Sequence, residues 1–309
     1  MGREPLGRFA PSPTGPLHLG SLLAAVGSYL DARTAGARWL VRIEDLDTPR
    51  VIPGCADQQL RTLEAFGFEW DGEVLYQSTR RDAYREAMTR LTTLGRTFRC
   101  SCTRKDFAGA TVIEEDAQGD GHGYPGTCRQ GPTKAGPTSL RFRVSDMPAR
   151  FDDLYLGEQA FTGFGDVVVE RRDGIATYQL AVVVDDAFQC VSRVVRGADL
   201  LASTPWQIEL QRALGLPQPI YGHLPLVTEP DGSKLSKSRR ALPLDLTAAA
   251  RLLTLTLTHL SLAPPPLLAH SSVKDVWKWA FAHWRPQALA GKTVVPLSAA
   301  GDREADSAH

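Results

Sequence analysis

The sequence predicts an α/β protein built around a doubly wound parallel sheet, and three observations support this fold class. Short apolar runs that suit strands alternate along the chain with amphipathic segments that suit helices. The first strand leaves into a loop rich in proline and glycine, which is where such sheets bind ligands. With 309 residues, 43% of them hydrophobic, the chain can bury one large core or those of two to three smaller domains.

The first part of the pattern is strand, loop, helix, strand. The segment GRFAPSPTG begins as a strand, and residues 17–36 follow as a helix because apolar residues recur there every three or four positions before a glycine. Residues 39–45, WLVRIED, form a predicted buried strand that ends in acidic residues. Helical patterns near 54–66 and 80–94 come next, before an irregular segment.

That irregular segment, residues 103–137, is rich in Gly, Asp and Thr. After it, DVVVE at 166–170 and QLAVVVDD at 179–186 predict strands. Capping-box spacing from Thr204, with proline at the first helical position, predicts a helix over 204–215. Two further helices are expected at 245–260 and 272–284, separated by three prolines.

Composition limits the classes of function. No apolar run reaches the roughly 18 residues of a membrane helix, and the N-terminus lacks the apolar core of a signal peptide, so we expect no membrane association and a cytoplasmic location. Lysine plus arginine and aspartate plus glutamate each number 35, so a nucleic-acid partner would have to meet a local basic patch. Five cysteines without a secretion signal favour free thiols or a metal over disulfides.

Two motifs suggest binding of phosphate groups. The run PSPTGPLHLG at 11–20 lies between the first strand and the first helix, where backbone N–H groups and the helix N-terminus favour an anion. It matches neither the Walker loop nor the G-x-G-x-x-G fingerprint. His18 opens the helix, so its ring can face a phosphate there. The lysine-rich run KLSKS at 234–238 comes late in the chain and could close over the same phosphates, since mobility would suit a group needed only in the transition state.

A cysteine cluster predicts a metal site. Cys100, Cys102 and Cys128 supply three thiols, and zinc takes four nitrogen, oxygen or sulfur ligands in a tetrahedron. Such a site would order a segment that has few apolar residues. Spacing alone leaves the fourth ligand open between Tyr124 and His122, of which histidine is the commoner ligand type. The isolated Cys55 and Cys190 are expected to be small core residues.

Taken together, these blocks resemble the class I aminoacyl-tRNA synthetases. RFAPSPTGPLHLGS is similar to the HIGH-type signature of that family and KLSKS to its KMSKS-type signature. RIEDLDTPR at 42–50, YQLAVVVDD at 178–186 and VVRGADLL at 194–201 resemble the glutamyl branch. The resemblance runs from residue 8 to about residue 240 and implies a Rossmann-type catalytic domain. It also implies that ATP, with Mg²⁺, activates L-glutamate as an adenylate.

The resemblance assigns roles to individual residues. His18 and Lys237 would be catalytic, because they stabilise charge that develops on the phosphates. The implied ATP contacts are Pro11, Gly15, His18, Gly20, Lys234 and Lys237. The implied glutamate contacts are Arg8, Ala10, Ser12, Glu44, Tyr178 and Arg196. An arginine fork binds a carboxylate at two points but would meet donors on an amide, so glutamate is favoured over glutamine.

The blocks SLLAAVGSYLDAR and YPGTC, with few residues after KLSKS, resemble one subfamily of short glutamyl-tRNA synthetase-like proteins. By that resemblance, Tyr124 is the fourth zinc ligand. It further implies that glutamate goes to the base queuosine in the anticodon loop of tRNA(Asp), and not to the 3′ end of the tRNA. The partner would then be the anticodon stem-loop of tRNA(Asp), read by shape and by a splayed base.

The resemblance also divides the chain, which we expect to be a monomer. The expected parts are the first half of the catalytic domain at 1–95, an inserted acceptor-type subdomain with a zinc knuckle at 96–176, the second half with the KLSKS loop at 177–243, a helical stem-contact region at 244–296 and a disordered tail at 297–309.

Three alternative functions remain open at this point. A minimal synthetase would charge tRNA(Glu) at its 3′ end, and a nucleotidyltransferase with HIGH- and KMSKS-type motifs would act on another small acid. A non-catalytic protein would only bind tRNA or sense an amino acid. The reactive set of Arg8, His18, Glu44 and Lys237 argues against this third alternative.

Overall fold

The structure is a computed structural model that describes residues 4–103, 106, 124–145, 147–228 and 242–297. Helices alternate with parallel strand pairs along this part of the chain, which confirms the predicted α/β class. The KLSKS motif at 234–238, His122 and the tail from 298 onward lie outside the described residues.

Twelve strands are present within the described ranges. They are β1 (Leu6–Phe9), β2 (Arg38–Ile43), β3 (Leu75–Tyr76), β4 (Thr97–Cys100), β5 (Ser139–Phe142), β6 (Ala149–Asp153), β7 (Gly157–Phe161), β8 (Val167–Glu170), β9 (Arg193–Gly197), β10 (Ile220–Leu224), β11 (Leu226–Thr228) and β12 (Val294–Pro296).

Seven α-helices accompany these strands in the same ranges. They are α1 (Leu19–Thr34), α2 (Cys55–Ala65), α3 (Arg81–Thr93), α4 (Tyr178–Phe188), α5 (Thr204–Leu214), α6 (Ala249–His259) and α7 (Val273–His283). Short 3₁₀ turns precede or connect several of them, at Gln77–Arg80, Ala198–Ser203, Leu246–Ala248, Pro266–His270 and Pro286–Leu289.

The central strands follow a doubly wound order. β1, β2 and β3 pair in parallel, and β10 pairs in parallel with β9 on one side and β6 on the other, after which β7 returns antiparallel. Leu6 and Ser192 join the two groups, because Ser192 N donates to Leu6 O at 3.0 Å and Leu6 N donates to Ser192 Oγ at 2.9 Å. The chain thus winds outward from β1 to β3 and continues on the other side of β1 at β9, so the carboxyl ends of β1, β2 and β9 face one edge.

Helix α1 packs closely on this sheet, and Gly27 makes the close approach possible. A Cβ atom at Gly27 would lie 2.4 Å from Leu224 Cδ1 on β10. The helix is buried along most of its length, which explains why its sequence is apolar on more than one face. Helices α6 and α7 cover α1 from outside and close the same hydrophobic core.

Residues 179–186 form a helix and not the predicted strand. They lie within α4, and all but one of them are buried. A short apolar run rich in valine suits a buried strand and a buried helix equally well, because periodicity vanishes when every face is covered. The prediction of strand was therefore wrong, and tertiary packing decided the outcome.

The predicted helix at 204–215 is confirmed as α5, with Pro205 in its first turn and Gly215 in the left-handed conformation at its end. The predicted capping role of Thr204 is wrong. Its hydroxyl accepts a hydrogen bond from Arg196 Nη2 at 2.8 Å, and no side chain caps the helix at Ser203.

The two C-terminal helices are confirmed, at α6 and α7. Ser272 caps α7 by accepting from Asp275 N at 3.2 Å. After α7 the chain returns to the sheet region, where β12 pairs in parallel with β11. None of the helices in the described ranges combines the length and the apolar character needed to span a bilayer.

A separate antiparallel sheet of β4, β5 and β8 holds the cysteine cluster. Cys100 ends β4, and Cys102 and Cys128 lie in the loops beyond it. A small apolar cluster of Phe98, Tyr124 and the three cysteines lies apart from the main cores.

Candidate active site and metal centre

The loop between β1 and α1 is held in place from helix α2. Gln59 is buried, and its Nε2 donates to Ser12 O at 3.0 Å and to Gly15 O at 2.8 Å. Cys55 Sγ donates to the same Gly15 carbonyl at 3.0 Å. Pro11 O accepts from Glu44 N at 2.9 Å, which ties the loop to the end of β2. The loop is therefore rigid at the position where a phosphate group would bind.

His18 caps helix α1 with its side chain. Its Nδ1 accepts from Gly20 N at 3.1 Å and from Ser21 N at 3.4 Å. In the neutral ring the hydrogen is then on Nε2, the atom that would donate to a phosphate oxygen. A Cβ at Gly20 would lie 3.1 Å from the His18 ring, so glycine at this position leaves room for the cap.

Arg8 on β1 and Glu44 after β2 meet around two partners that the sequence analysis did not single out, Arg42 and Asp186. Asp186 Oδ1 on α4 accepts from Arg8 Nε at 3.2 Å and from Arg42 Nη1 at 2.8 Å. Arg42 Nη2 also donates to Glu44 Oε1 at 3.4 Å. Arg8 uses only its Nε in this network, and its two terminal nitrogens make no hydrogen bond to other described residues. They are thus available to a ligand carboxylate.

Burial and charge act in opposite directions on these carboxyl groups. Burial raises the pKa of Asp186, but the neighbouring Arg8 and Arg42 outweigh it and hold the pKa below its usual range. Burial dominates at Glu44 and raises its pKa, although Arg42 and Arg8 oppose the shift. A bound ammonium group next to Glu44 would replace lost hydration and favour its charged form.

Arg196 on β9 occupies a second buried cluster. Its Nη1 donates to Gln207 Oε1 at 2.8 Å and to Tyr178 Oη at 3.2 Å, and its Nε donates to His223 Nε2 at 3.1 Å. Burial raises the pKa of Tyr178, with Glu44 adding to the shift and Arg196 and Arg8 opposing it, because all three charged groups lie near the Tyr178 hydroxyl. The structure therefore brings together four of the predicted glutamate contacts.

The remaining predicted site residues are placed as follows. Ala10 is half-buried at the end of β1, while Ser12 is exposed and presents its carbonyl to Gln59. Lys234 and Lys237 lie outside the described residues. Among the residues that sequence reasoning missed, Arg42 and Asp186 lie inside the quoted blocks RIEDLDTPR and YQLAVVVDD, whereas Gln59 and His223 carried no signal of their own.

The three thiols predicted to bind a metal converge in the structure. Cys100, Cys102 and Cys128 are buried, and their Sγ atoms lie within 4.8 Å of one another. The Sγ atoms of Cys102 and Cys128 are 3.5 Å apart, and Tyr124 Oη is 3.6 Å from Cys100 Sγ. Zn–S bonds of about 2.3 Å and Zn–O bonds of about 2.1 Å give tetrahedral edges of about 3.5 to 3.8 Å. The donor set therefore fits a metal ion.

The pKa values of the cysteine thiols are also consistent with a bound cation. Burial raises the pKa of Cys128, but hydrogen bonding with Ser101, Thr133 and Cys102 outweighs burial and lowers the pKa to about 5. Burial and the two neighbouring sulfurs raise the pKa of Cys102 to about 12. Three thiolates at this distance repel one another unless a cation lies between them.

The two isolated cysteines differ in their surroundings. Cys55 is buried, as expected, and contacts the loop after β1. The expectation for Cys190 is wrong, since it is exposed after α4 with a φ angle of 59°. One apolar residue in a helix-to-strand turn gives no sequence signal of its exposure.

A rigid loop before a capped helix, beside charged groups from several strand ends, defines a nucleotide-dependent catalytic domain of the class I synthetase type. Residues 6–249 match the family described as tRNA synthetases class I (E and Q), catalytic domain. Among solved structures, the glutamate-tRNA synthetase of Elizabethkingia anophelis superimposes with a TM-score of 0.78 at 24% identity, over 96% of this chain and 69% of that one. Methionyl-tRNA synthetase of Mycobacterium tuberculosis gives a TM-score of 0.55 at 11% identity, over 83% of this chain and 64% of that one.

Relatives with higher sequence identity than these structures indicate the branch of the family. The glutamyl-Q tRNA(Asp) synthetase of Dechloromonas aromatica (strain RCB) is 52% identical over 297 residues, which are 95% of this chain and 98% of the relative. The protein of the same name from Geobacter sulfurreducens is 52% identical over 92% of this chain and 93% of its own length. The chain therefore belongs to the class I tRNA synthetases of the E and Q type, in the branch of proteins named glutamyl-Q tRNA(Asp) synthetase.

Proposed function

We propose that the protein activates glutamate with ATP and transfers it to queuosine in the anticodon loop of tRNA(Asp). The observation that carries this proposal is identity of about half of all residues to glutamyl-Q tRNA(Asp) synthetases along nearly their whole length. The buried arginines beside Glu44 support glutamate as the amino acid, because they suit two carboxylates and one ammonium group.

The reaction has two steps. First, the α-carboxylate of glutamate attacks the α-phosphorus of ATP, pyrophosphate leaves, and glutamyl adenylate forms. Second, a hydroxyl of the cyclopentenediol of queuosine attacks the adenylate carbonyl, loses its proton and displaces AMP. No covalent intermediate with the enzyme is needed, so the protein acts by positioning and by electrostatic stabilisation.

Arg8 and Tyr178 would bind the carboxylate side of glutamate directly. Arg196 would contribute through the hydroxyl of Tyr178, to which it donates. Glu44 would bind the ammonium group, and backbone at Ala10 and Ser12 would complete the site. This assignment is supported by the proximity of the four side chains and by the terminal nitrogens of Arg8, which make no hydrogen bond within the described part of the chain.

For ATP, His18 would donate from Nε2 to a phosphate oxygen, beside backbone of Pro11, Gly15 and Gly20. Lys234 and Lys237 would also bind the phosphates, and this assignment rests only on the KLSKS motif. Mg²⁺ would arrive with the nucleotide and neutralise charge on its phosphates.

One zinc ion would be held by Cys100, Cys102, Cys128 and Tyr124. The ion would have a structural role and not a catalytic one, because four protein ligands fill its tetrahedral coordination and leave no position for substrate. The ion would link the end of β4 to the loop that carries Tyr124 and Cys128, within the segment 96–176 that we assign as the acceptor-type subdomain. We assign the flanking parts, 1–95 and 177–243, to the catalytic domain and 244–296 to a helical stem-contact region of a monomer.

The proposal is tested by transfer of labelled glutamate to three purified RNAs: tRNA(Asp) with queuosine, the same tRNA without it, and tRNA(Glu). We expect label on the first RNA alone, in a linkage that stays on the anticodon fragment after nuclease digestion. The Lys237→Ala variant is the matched control, and we expect it to lose adenylate formation with little change in thermal stability.

Each other outcome has a defined meaning. Label on the 3′ end of tRNA(Glu) would mean a minimal charging synthetase. Glutamate-independent exchange of pyrophosphate into ATP, driven by another acid, would mean a nucleotidyltransferase. Near wild-type activation by Lys237→Ala would contradict the role given to KLSKS.

A further inference from the structure

The guanidinium group of Arg196 is held by the protein on every side. An arginine has five N–H donors. In Arg196, Nε donates to His223, Nη1 donates to Gln207 and Tyr178, and Nη2 donates to Thr204 Oγ1 at 2.8 Å and to Leu200 O at 3.3 Å. Its position and plane are thus fixed before any substrate binds.

The acceptors of Arg196 differ in how they are fixed. The backbone carbonyl of Leu200 can only accept, and the amide of Gln207 is oriented by its own donation to Gln179 Oε1 at 2.9 Å. His223 is different, because either of its ring nitrogens can carry the hydrogen. Its Nε2 accepts from Arg196 only if the hydrogen lies on Nδ1.

Asp153 determines which nitrogen of His223 carries that hydrogen. Asp153 Oδ1 accepts from the backbone N atoms of Tyr155, Leu156 and His223, at 2.9, 3.0 and 3.2 Å. Its other oxygen, Oδ2, is 2.5 Å from His223 Nδ1 and can only accept there. Both side chains are fully buried, so water does not compete for this hydrogen bond.

We infer that Asp153 and His223 are positioning residues for recognition of the amino acid, which act through Arg196 and Tyr178. Asp153 holds the hydrogen of His223 on Nδ1, and Nε2 in turn holds Arg196 against the hydroxyl of Tyr178. The inference rests on the proposed function, because it takes Tyr178, which Arg196 holds in place, as a glutamate contact.

The decisive variant is Asp153→Asn, which keeps the shape of the side chain. The three backbone N–H groups will hold the new carbonyl oxygen, so the amide NH₂ will face His223 Nδ1. Nδ1 must then accept, the hydrogen moves to Nε2, and Arg196 loses an acceptor. We expect the KM for glutamate in pyrophosphate exchange to rise roughly 10- to 100-fold, with the KM for ATP within about twofold of wild type.

Asp31→Asn is the matched control. Asp31 also binds an arginine on β9, accepting from Arg193 Nε at 2.8 Å and Nη2 at 2.9 Å, but this pair does not contact Arg196. Both variants remove a buried carboxylate that accepts from a side-chain N–H, and both should lower thermal stability. We expect only Asp153→Asn to change the KM for glutamate, and an equal change in Asp31→Asn would overturn the inference.

The tautomer of His223 is measured separately, by ¹⁵N NMR of the histidine ring in the absence of substrates. We expect hydrogen on Nδ1 in wild type and on Nε2 in Asp153→Asn. This readout does not depend on activity, so wild-type protein that fails to activate glutamate would refute the proposed function without affecting the tautomer result. An inverted tautomer with an unchanged KM for glutamate would overturn the positioning role.

A second pair of variants decides the question if Asp153→Asn does not fold. His223→Gln places an amide oxygen near the position of Nε2, while His223→Leu has a similar volume and no acceptor. We expect the KM for glutamate of His223→Gln to stay within a few-fold of wild type and that of His223→Leu to rise at least tenfold. Equal values for the two variants would contradict the inference.

Discussion

His259 on helix α6 is 2% exposed, and its Nε2 has no hydrogen-bond partner among the described residues. A buried polar atom without a partner destabilises the folded state, whereas an apolar group of similar volume does not. We therefore expect His259→Leu to increase the free energy of unfolding by about 1 kcal/mol, measured by urea denaturation at pH 7.5.

The exposed His270 supplies the control for that substitution. His270→Leu changes the same residue type at the surface and should leave the urea midpoint nearly unchanged. A destabilised His259→Leu protein would mean that the His259 ring makes a contact that leucine cannot replace.

Single residues of the candidate site could be predicted from motifs, but their partners could not. Arg8 and Glu44 lie in recognisable blocks, yet the carboxylate that orients Arg8 is 178 residues away in sequence. His223 and Asp153 are 70 residues apart and lie in segments without a motif. A single sequence carries no information about which distant polar groups meet, because that depends on strand order and register.

Helices and strands could be predicted where their sequence pattern has one buried face. Helices α2, α3, α6 and α7 have one buried face and are predicted as helices. Helix α1 is buried along most of its length, but its apolar run is too long for a strand and a glycine follows it, so it is also predicted as a helix. Helix α4 was mistaken for a strand because it is buried on nearly every side. Periodicity reveals a helix only when its buried and exposed faces differ in polarity, and the faces of α4 differ little.

A candidate metal site lies at the end of β4 and in the described residues 124–138 that precede β5. We expect one zinc ion per chain by elemental analysis, and we expect Cys102→Ser to lose most of it and to unfold at a lower temperature, because the thiolate supplies both a ligand and charge. Cys190→Ser is the control, since Cys190 is exposed and outside the cluster.

Tyr124→Phe separates the fourth ligand from the other three. If Tyr124 Oη binds the ion, this variant should hold zinc more weakly in a chelator titration, while its ring still packs against Phe98. Wild-type affinity in Tyr124→Phe would exclude tyrosine as the fourth ligand, and metal-free protein with full stability and activity would refute the zinc site.

At the scale of the whole molecule, three buried groups make stability depend on pH with opposite signs. Burial lowers the pKa of His223 to about 4, with Asp153 opposing and Arg196 assisting the shift, and burial also lowers the pKa of His259. As the pH falls below about 6.5, the unfolded chain takes up two protons that the folded chain does not, so stability decreases. Burial raises the pKa of Glu44, so above about pH 4.5 the folded chain retains a proton that the unfolded chain loses.

The effect of the two histidines is larger than that of the one glutamate, so we expect the free energy of unfolding to decrease from pH 7 toward pH 5.

Removal of one histidine should make this pH dependence weaker. We therefore expect His259→Leu to gain stability relative to wild type as the pH falls, by at most about 1.4 kcal/mol per pH unit. Glu44→Gln should steepen the dependence, because it removes the opposing proton. These differences are measured by urea denaturation of wild type, His259→Leu and Glu44→Gln at matched pH values. All three proteins would lose a thiolate-bound metal equally at low pH, so that loss cancels in the differences. A difference between His259→Leu and wild type that is constant from pH 7.5 to pH 5 would show that His259 has the same pKa in the folded and unfolded chains.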